Sequence, residues 1–303
     1  MSARDLGVDA QQTSVALQGV PMPTCDTLHL SFLGRSALIV SPDHALLDEL
    51  AYLCEAFISS SPAPAHCERI EITVYKDSPA LSAWSGSRLI AFSCSATVLA
   101  AKLESYLCRT AIRFSQHLVH IHGAAVGYRG CGVLIPGISG IGKTTLALSL
   151  VAHGFTLFSD DITFIDPTSR LFSPFWRRFH LDLRSLHLLA AQGLAVPEWC
   201  AEAREGSFPP SAFSLNTPPP PQPLRCVLLV DRTRMPAGAW EQIAQAEAAI
   251  ALIPHSATFR EGNPRALDML VHLLAPTECF RISTANLQEA AATIHHLVAM
   301  LDR

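Results

Sequence analysis

The chain has 303 residues, 49% of them hydrophobic, a mean hydropathy of +0.27 and a formal net charge of −4. That is enough apolar material for one large or two modest cores, and so mild a negative charge gives no electrostatic reason to expect a nucleic-acid partner. No stretch reaches 18 uninterrupted apolar residues, and Met1 to Gln18 carries charges at Arg4, Asp5 and Asp9, so neither a membrane span nor a signal peptide is expected. Nine cysteines occur without a Cys-x-x-Cys pair. Those at Cys54, Cys94, Cys108 and Cys226 sit in apolar surroundings and read as small buried hydrophobes of a reducing compartment, which makes a cytoplasmic protein the expectation and a zinc site an unneeded one.

In chain order, residues 1–24 are polar and read as an irregular lead-in. Residues 28–34 and 36–40 read as a strand and its hairpin partner. Leu46, Leu47, Leu50, Leu53, Cys54 and Phe57 then mark an amphipathic helix behind a cap at Asp43. A Ser/Pro/Ala loop covers 59–65, strands follow at 70–75 and 88–92, and a second helix places Leu99, Leu103, Leu107 and Phe114 on one face. Residues 25–117 are thus expected to form an N-terminal α+β domain, and they carry no catalytic constellation.

From Leu118 the texture changes. Residues 119–126 read as a strand, 127–130 as a turn, and Cys131-Gly132-Val133-Leu134-Ile135 as a second apolar strand. It runs into Gly137, Ile138, Ser139, Gly140, Ile141, Gly142, Lys143, Thr144 and Thr145, which fit the pattern Gly, four residues, Gly, Lys and Ser or Thr. Leu146, Ala147, Leu150 and Val151 recur at helical spacing behind it, and Gly154 stands where that helix stops. Glycines let successive backbone N–H groups curl towards phosphate oxygens, and the helix N-terminus adds positive partial charge. Lys143 reaches phosphates as a point charge and the Thr144 hydroxyl ligates Mg²⁺ in such a loop. The lysine is no product of lysine-rich sequence: only Lys76 and Lys102 accompany it among 22 lysines and arginines.

His122 precedes Lys143 by 21 residues, and Asp160 and Asp161 follow it by 17 and 18. One helix and one return strand fill the second interval, so the carboxylates are expected at the end of the strand beside the one that leads into the glycine loop. One carboxylate there can hold Mg²⁺ while the other accepts a proton from an attacking hydroxyl.

Farther on, residues 204–224 hold seven prolines, including Pro218 to Pro221, and read as a surface loop. A strand is expected at 226–230, a helix at about 264–274 with Asn263 as cap and Pro264 in its first position, a strand at 280–283, and a final helix with Leu287, Ala291, Ile294, Val298 and Leu301 on one side. His295-His296 on that helix reads as a solvated edge rather than a metal site.

Ile121-His122-Gly123, the loop from Gly137 to Thr144, Gly154 and Ser159-Asp160-Asp161 together resemble the C-terminal kinase domain of HPr kinase/phosphorylase, convincingly over about 118–166. The resemblance implies an α/β fold over 118–303, of the P-loop type shared with phosphoenolpyruvate carboxykinase, and an ATP- and Mg²⁺-dependent kinase. It implies that Lys143 binds phosphates, Thr144 ligates Mg²⁺, Asp161 accepts the proton and His122 assists it. Leu181-Asp182-Leu183-Arg184 is similar to the family's Leu-Glu-Ile-Arg stretch, which implies a second Mg²⁺ ligand in Asp182. The departures are also informative. The family's Gly-x-Gly-Ile-Ile-Asn signature is replaced by Ser185-Leu186-His187-Leu188-Leu189, and residues 1–115 do not look like the family's N-terminal domain. A divergent relative with another acceptor is implied, of the kind that includes kinases acting on a hydroxyl of lasso and other ribosomal peptides.

The leading expectation is therefore transfer of the γ-phosphate of ATP to a hydroxyl of a peptide, a protein or a small molecule. Two rivals are a nucleotide-binding regulatory module without transfer activity and phosphoryl transfer to a small acid as in the carboxykinases. The first has no use for His122, Asp160 and Asp161 together, and the second lacks arginines clustered for a small carboxylate, with Arg177, Arg178, Arg260 and Arg265 unassigned. Neither a membrane nor a nucleic acid is an expected partner, and a homo-oligomer stays open.

Overall fold

A computed structural model describes residues 26–75, 78–138, 140, 142–202, 205–231, 236, 238–283 and 286–301. The lead-in expected over 1–24 lies outside these, as do Ser139 and Ile141 of the glycine loop. The first part of the chain runs β1 (Asp26–Phe32), β2 (Arg35–Ser41), α1 (His44–Leu53), β3 (Glu68–Val74), β4 (Leu81–Ser85), β5 (Arg88–Ser93) and α2 (Ala96–Phe114). These strands form one sheet in sequence order, antiparallel except where β2 and β3 run parallel across the α1 crossover. The expected cap holds: the Asp43 side chain accepts from the Leu46 N–H at 3.0 Å. Leu46 and Leu50 of α1 and Leu99, Leu103 and Leu107 of α2 are buried against Leu30, Ile39 and Ile70 of the sheet. Cys54 and Cys108 share that core, whereas Cys94, expected to be buried, is exposed. It directly precedes the α2 cap Ser95, at the end of an edge strand.

The remainder runs β6 (Val119–Tyr128), β7 (Cys131–Pro136), α3 (Lys143–Ala152), β8 (Thr156–Ser159), β9 (Ile162–Ile165), β10 (Phe172–Ser173), β11 (Phe179–Asp182), α4 (Leu183–Ala191), α5 (Glu198–Glu202) and β12 (Glu205–Phe208). It continues through β13 (Leu224–Val230), β14 (Trp240–Gln242), α6 (Gln245–Leu252), α7 (Ala257–Arg260), α8 (Ala266–Leu274), β15 (Glu278–Ile282) and α9 (Leu287–Leu301). Eight of these strands form a mixed sheet in the order β10-β9-β6-β7-β13-β15-β14, with β8 also paired to β6. β7, β13 and β15 are mutually parallel. Every residue of β7 is buried, as befits a central strand covered on both faces. Leu146, Leu150, Leu189, Ile294 and Leu297 from α3, α4 and α9 cover one face, and Leu252, Leu270, Leu273 and Leu274 from α6 and α8 cover the other. The molecule is a mixed α/β protein with more than one sheet, and among its described residues no helix is long and apolar enough to cross a membrane.

Three further expectations need correction. β8, which leads to Asp160, pairs with β6 and not with β7, so one strand separates the aspartates from the strand of the glycine loop. β6 is long enough to pair with β9 through its first half and β8 through its second. Second, Asn263 does not cap α8. Its carboxamide oxygen accepts from the Arg265 N–H at 2.9 Å in a local turn, and the helix begins after Arg265, leaving Pro264 outside. Third, the proline-rich segment is not a detached surface loop. Residues 205–208 pair with β11, residues 210–213 form a 3₁₀ turn, and Phe208 and Phe213 are buried. Pro210 stands in the first turn, where its missing N–H leaves nothing unsatisfied. Of the histidine pair on α9, His296 is exposed and His295 packs against Tyr128, with ring centroids 4.9 Å apart and the planes tilted by 58°.

Candidate active site

β7 ends at Pro136 and α3 begins at Lys143, so the glycine loop bridges a central strand and a helix N-terminus. Gly142 takes the position before the helix with φ +94°, where any side chain would be strained. On the neighbouring strand, a Cβ on Gly123 would come within 2.9 Å of the Ile135 carbonyl oxygen. Glycine there lets β6 lie close against β7, and that approach sets His122 beside the loop. Gly140 and Gly142 line a cleft of about 780 Å³ together with His122, Lys143, Thr144, Thr145, Asp160, Asp161 and Asp182. Gly137 and Ile138 join the loop to β7.

Lys143 is 7% exposed, and its ammonium donates to the Ile138 carbonyl at 2.9 Å and approaches His122 Nε2 at 3.3 Å. An ammonium has no lone pair, so His122 Nε2 accepts and the ring proton resides on Nδ1. That nitrogen faces Asp161 Oδ1 at 3.1 Å, and Arg177 Nη1 donates to Asp161 Oδ2 at 2.9 Å. Both oxygens of Asp161 are thereby held. The His122 hydrogen bond draws its carboxyl below the usual range, with the Arg177 charge assisting against burial. Burial depresses Lys143, and the two aspartates oppose that.

Asp160 differs from its neighbour. Its side chain is buried, it accepts from Thr144 Oγ1 at 2.9 Å, and burial followed by the Asp161 charge pushes its pKa up to about 7. A hydroxyl and a carboxylate oxygen side by side suit a hard divalent cation. Asp182 caps α4 by accepting from the Ser185 N–H at 2.7 Å and lines the same cleft. Thr145 Oγ1 donates to the Ser185 hydroxyl at 3.1 Å, tying α3 to α4. Among the described residues no group of three or more His, Cys, Asp or Glu side chains is placed to hold a metal ion, so phosphate or water oxygens must complete any coordination shell built on Thr144 and Asp160.

The cleft also contains residues that sequence reasoning left without a role: Arg177, Arg178, His180, Ser185 and Gly206. Arg178 donates to the Tyr52 carbonyl at 3.0 Å and to Ser207, with its guanidinium 3.6 Å above the Tyr52 ring, so it clamps α1 to β12. His180 and Asp182 alternate along β11, the one local signal that this strand presents a polar edge to the cleft.

Residues 114–186 match the family profile of the HPr Serine kinase C-terminal domain. The HPr kinase/phosphorylase of Geobacter sulfurreducens is 52% identical over 46 residues, 15% of this chain and 14% of that protein. That of Enterococcus faecalis is 47% identical over 64 residues, 21% of this chain and 19% of that protein. The chain thus spans less than a quarter of the length of either relative. The solved HPr(Ser) kinase/phosphatase of Coxiella burnetii aligns with 60% of this chain and 98% of its own at 14% identity and a TM-score of 0.33. The matched segment contains His122, Lys143, Thr144, Asp160, Asp161 and Asp182, and over it the chain is similar to the HPr Serine kinase C-terminal domain.

Proposed function

We propose that the protein is an ATP- and Mg²⁺-dependent kinase that transfers the γ-phosphate to a hydroxyl, either a serine or threonine of a peptide or protein or an alcohol of a small molecule. The observation that carries this reading is the meeting in one cleft of Lys143 with two differently tuned aspartates, Asp160 on Thr144 and Asp161 on His122. A protein that only bound nucleotide would need the lysine and the threonine but not the held carboxylate.

In this reading Gly140, Gly142 and the N-terminal N–H groups of α3 receive the phosphates, and Lys143 supplies a positive charge beside them. Thr144 and Asp160, with Asp182 as a further oxygen donor, hold Mg²⁺, which supplies charge neutralisation on the phosphates when bound. Asp161 accepts the hydroxyl proton as the oxygen–phosphorus bond forms and the bond to the bridging oxygen of ADP breaks. His122 orients Asp161 through its Nδ1–H. Residues 118–303 act as the catalytic unit, of the fold type shared by HPr kinase and phosphoenolpyruvate carboxykinase, and residues 25–117 form a second unit beside it.

Calorimetric titration of the whole chain with ATP and Mg²⁺ tests this. Lys143→Ala should weaken binding by about 2 kcal/mol or more, the order expected for a lost charged hydrogen bond. Equal affinity of variant and wild type would remove the loop from the nucleotide site and the reading with it.

A further inference from the structure

The N-terminal unit sends one charged side chain towards the cleft. Glu104 lies on α2, 73 residues before Arg177, and accepts from Arg177 Nε at 2.9 Å through Oε1 and from Nη2 at 3.4 Å through Oε2. The remaining amino group of that guanidinium donates to Asp161 Oδ2. A planar guanidinium cannot turn towards one partner without turning from the other, so this edge-on grip on Glu104 sets the direction in which Nη1 points.

Both ends of the chain of contacts are fixed independently. The irregular stretch before Arg177 is tied to β8, which leads to the aspartates: the Phe175 N–H donates to the Phe158 carbonyl and Trp176 Nε1 to the Leu157 carbonyl. Glu104 sits over the α1–α2 core, with the Cys108 thiol donating to it at 3.2 Å. The three side chains become more exposed towards the cleft, from 15% at Glu104 through 26% at Arg177 to 37% at Asp161. A clamp between the two parts of the molecule would need only the first pair, and Arg178 already provides one through Tyr52 and Ser207. Arg177 spends its third contact on the carboxylate that faces the cleft.

We propose that Glu104 and Arg177 are positioning residues for Asp161: the second helix of the N-terminal unit aims the guanidinium that, with His122, fixes the orientation of the carboxylate. The inference deepens the proposed function, since it rests on Asp161 as the proton acceptor. The N-terminal unit is then part of the transfer machinery, and whatever displaces α2 displaces Asp161.

The test reads His122, whose ring pairs with Asp161 and Lys143 and not with Glu104 or Arg177. Nuclear magnetic resonance of the full chain with labelled histidine, at one fixed pH, gives its ring signals, assigned by their loss in His122→Gln. Glu104→Gln keeps the shape of the side chain and removes its charge and one acceptor, and Arg177→Met removes the guanidinium. Both should displace the His122 signals by several linewidths, while Arg109→Ala, an exposed change on the same helix, should not. In an Asp161→Asn background Glu104→Gln should add no further displacement, because the coupling passes through that carboxylate. Arg177→Lys, which retains the charge but reaches one carboxylate at a time, serves if Arg177→Met does not fold. His122 signals unmoved by Glu104→Gln, or moved equally with and without Asp161, would overturn the proposal. If the coupling holds and Asp161→Asn still transfers phosphate at the wild-type rate, the network stands and the base assignment falls. If the coupling is absent and Asp161→Asn is inactive, the base assignment stands alone.

Discussion

Asp160 and Asp161 are adjacent in the chain, just past the end of β8, and opposite in character: Asp160 is buried against Thr144, while Asp161 is more exposed and held by His122 and Arg177. Asp160 keeps a pKa of about 7 against an ordinary 3.8. Between those values the folded chain retains a proton that the unfolded chain has released, so this group's contribution to stability falls as pH rises from about 4 to about 7. Asp160→Asn retains an acceptor for Thr144 and removes the buried charge. At pH 8 without metal it should therefore be more stable than wild type, by on the order of a few kcal/mol, and should lose the pH slope of the melting temperature in that window. Identical slopes in a pH series of thermal melts would show that Asp160 does not ionise there. Asp161 is held below the usual range by His122 first and Arg177 also, so it stays an acceptor at neutral pH. Asp161→Asn preserves size and cannot take a proton. Transfer should fall at least about 10²-fold with nucleotide affinity near normal, as measured by single-turnover transfer beside a binding titration. Wild-type transfer would dismiss it as the base.

At the level of elements, what the sequence made legible was local. The glycine loop, its flanking strand and helix, and the Asp43 cap each rest on residues within about a turn or two of one another, and their spacing carries the geometry. The pairing of His122 with Asp161 was implied by the resemblance to the family; the intervals alone do not fix it. Which strand neighbours which did not follow, because the length of β6, and not any residue pattern, lets β8 and β9 share it. Glu104 and Arg177 were illegible for the same reason: their contact crosses 73 residues and two sheets. The proline-rich segment misled in a different way. Proline content suggested exposure, but Phe208 and Phe213 act as anchors, with Phe213 edge-on to Phe179 at 5.6 Å. Truncating a buried phenylalanine typically costs about 3–5 kcal/mol, and Phe213→Ala should approach that loss in denaturant unfolding. A segment lying loosely on the surface would give a change near zero.

For the whole molecule, the contrast is between residues 114–186, which are similar to a known family domain, and surroundings that the match does not reach. The profile match ends at residue 186, within α4. There Ser185-Leu186-His187-Leu188-Leu189 forms helix, with Leu186 and Leu189 buried in the core and His187 and Leu188 exposed. A glycine-rich signature would leave that stretch free to take another backbone course, whereas here the buried leucines commit it to packing. Phe164 and Phe175 are buried in the same core as Phe57, and Arg178 clamps Tyr52, so the N-terminal unit packs directly against the segment that carries Arg177 and Arg178. In the proposed reading an acceptor lies against residues 185–189, which depart from the family's glycine-rich signature. The protein should accordingly leave the phosphocarrier HPr unlabelled when incubated with it, Mg²⁺ and γ-labelled ATP, although Lys143 and Asp161 are in place. Nucleotide binding measured in the same preparation guards against an inactive sample. Stoichiometric labelling of a serine in the carrier would show that residues 185–189 and the N-terminal unit do not set the acceptor, and that the cleft alone selects it.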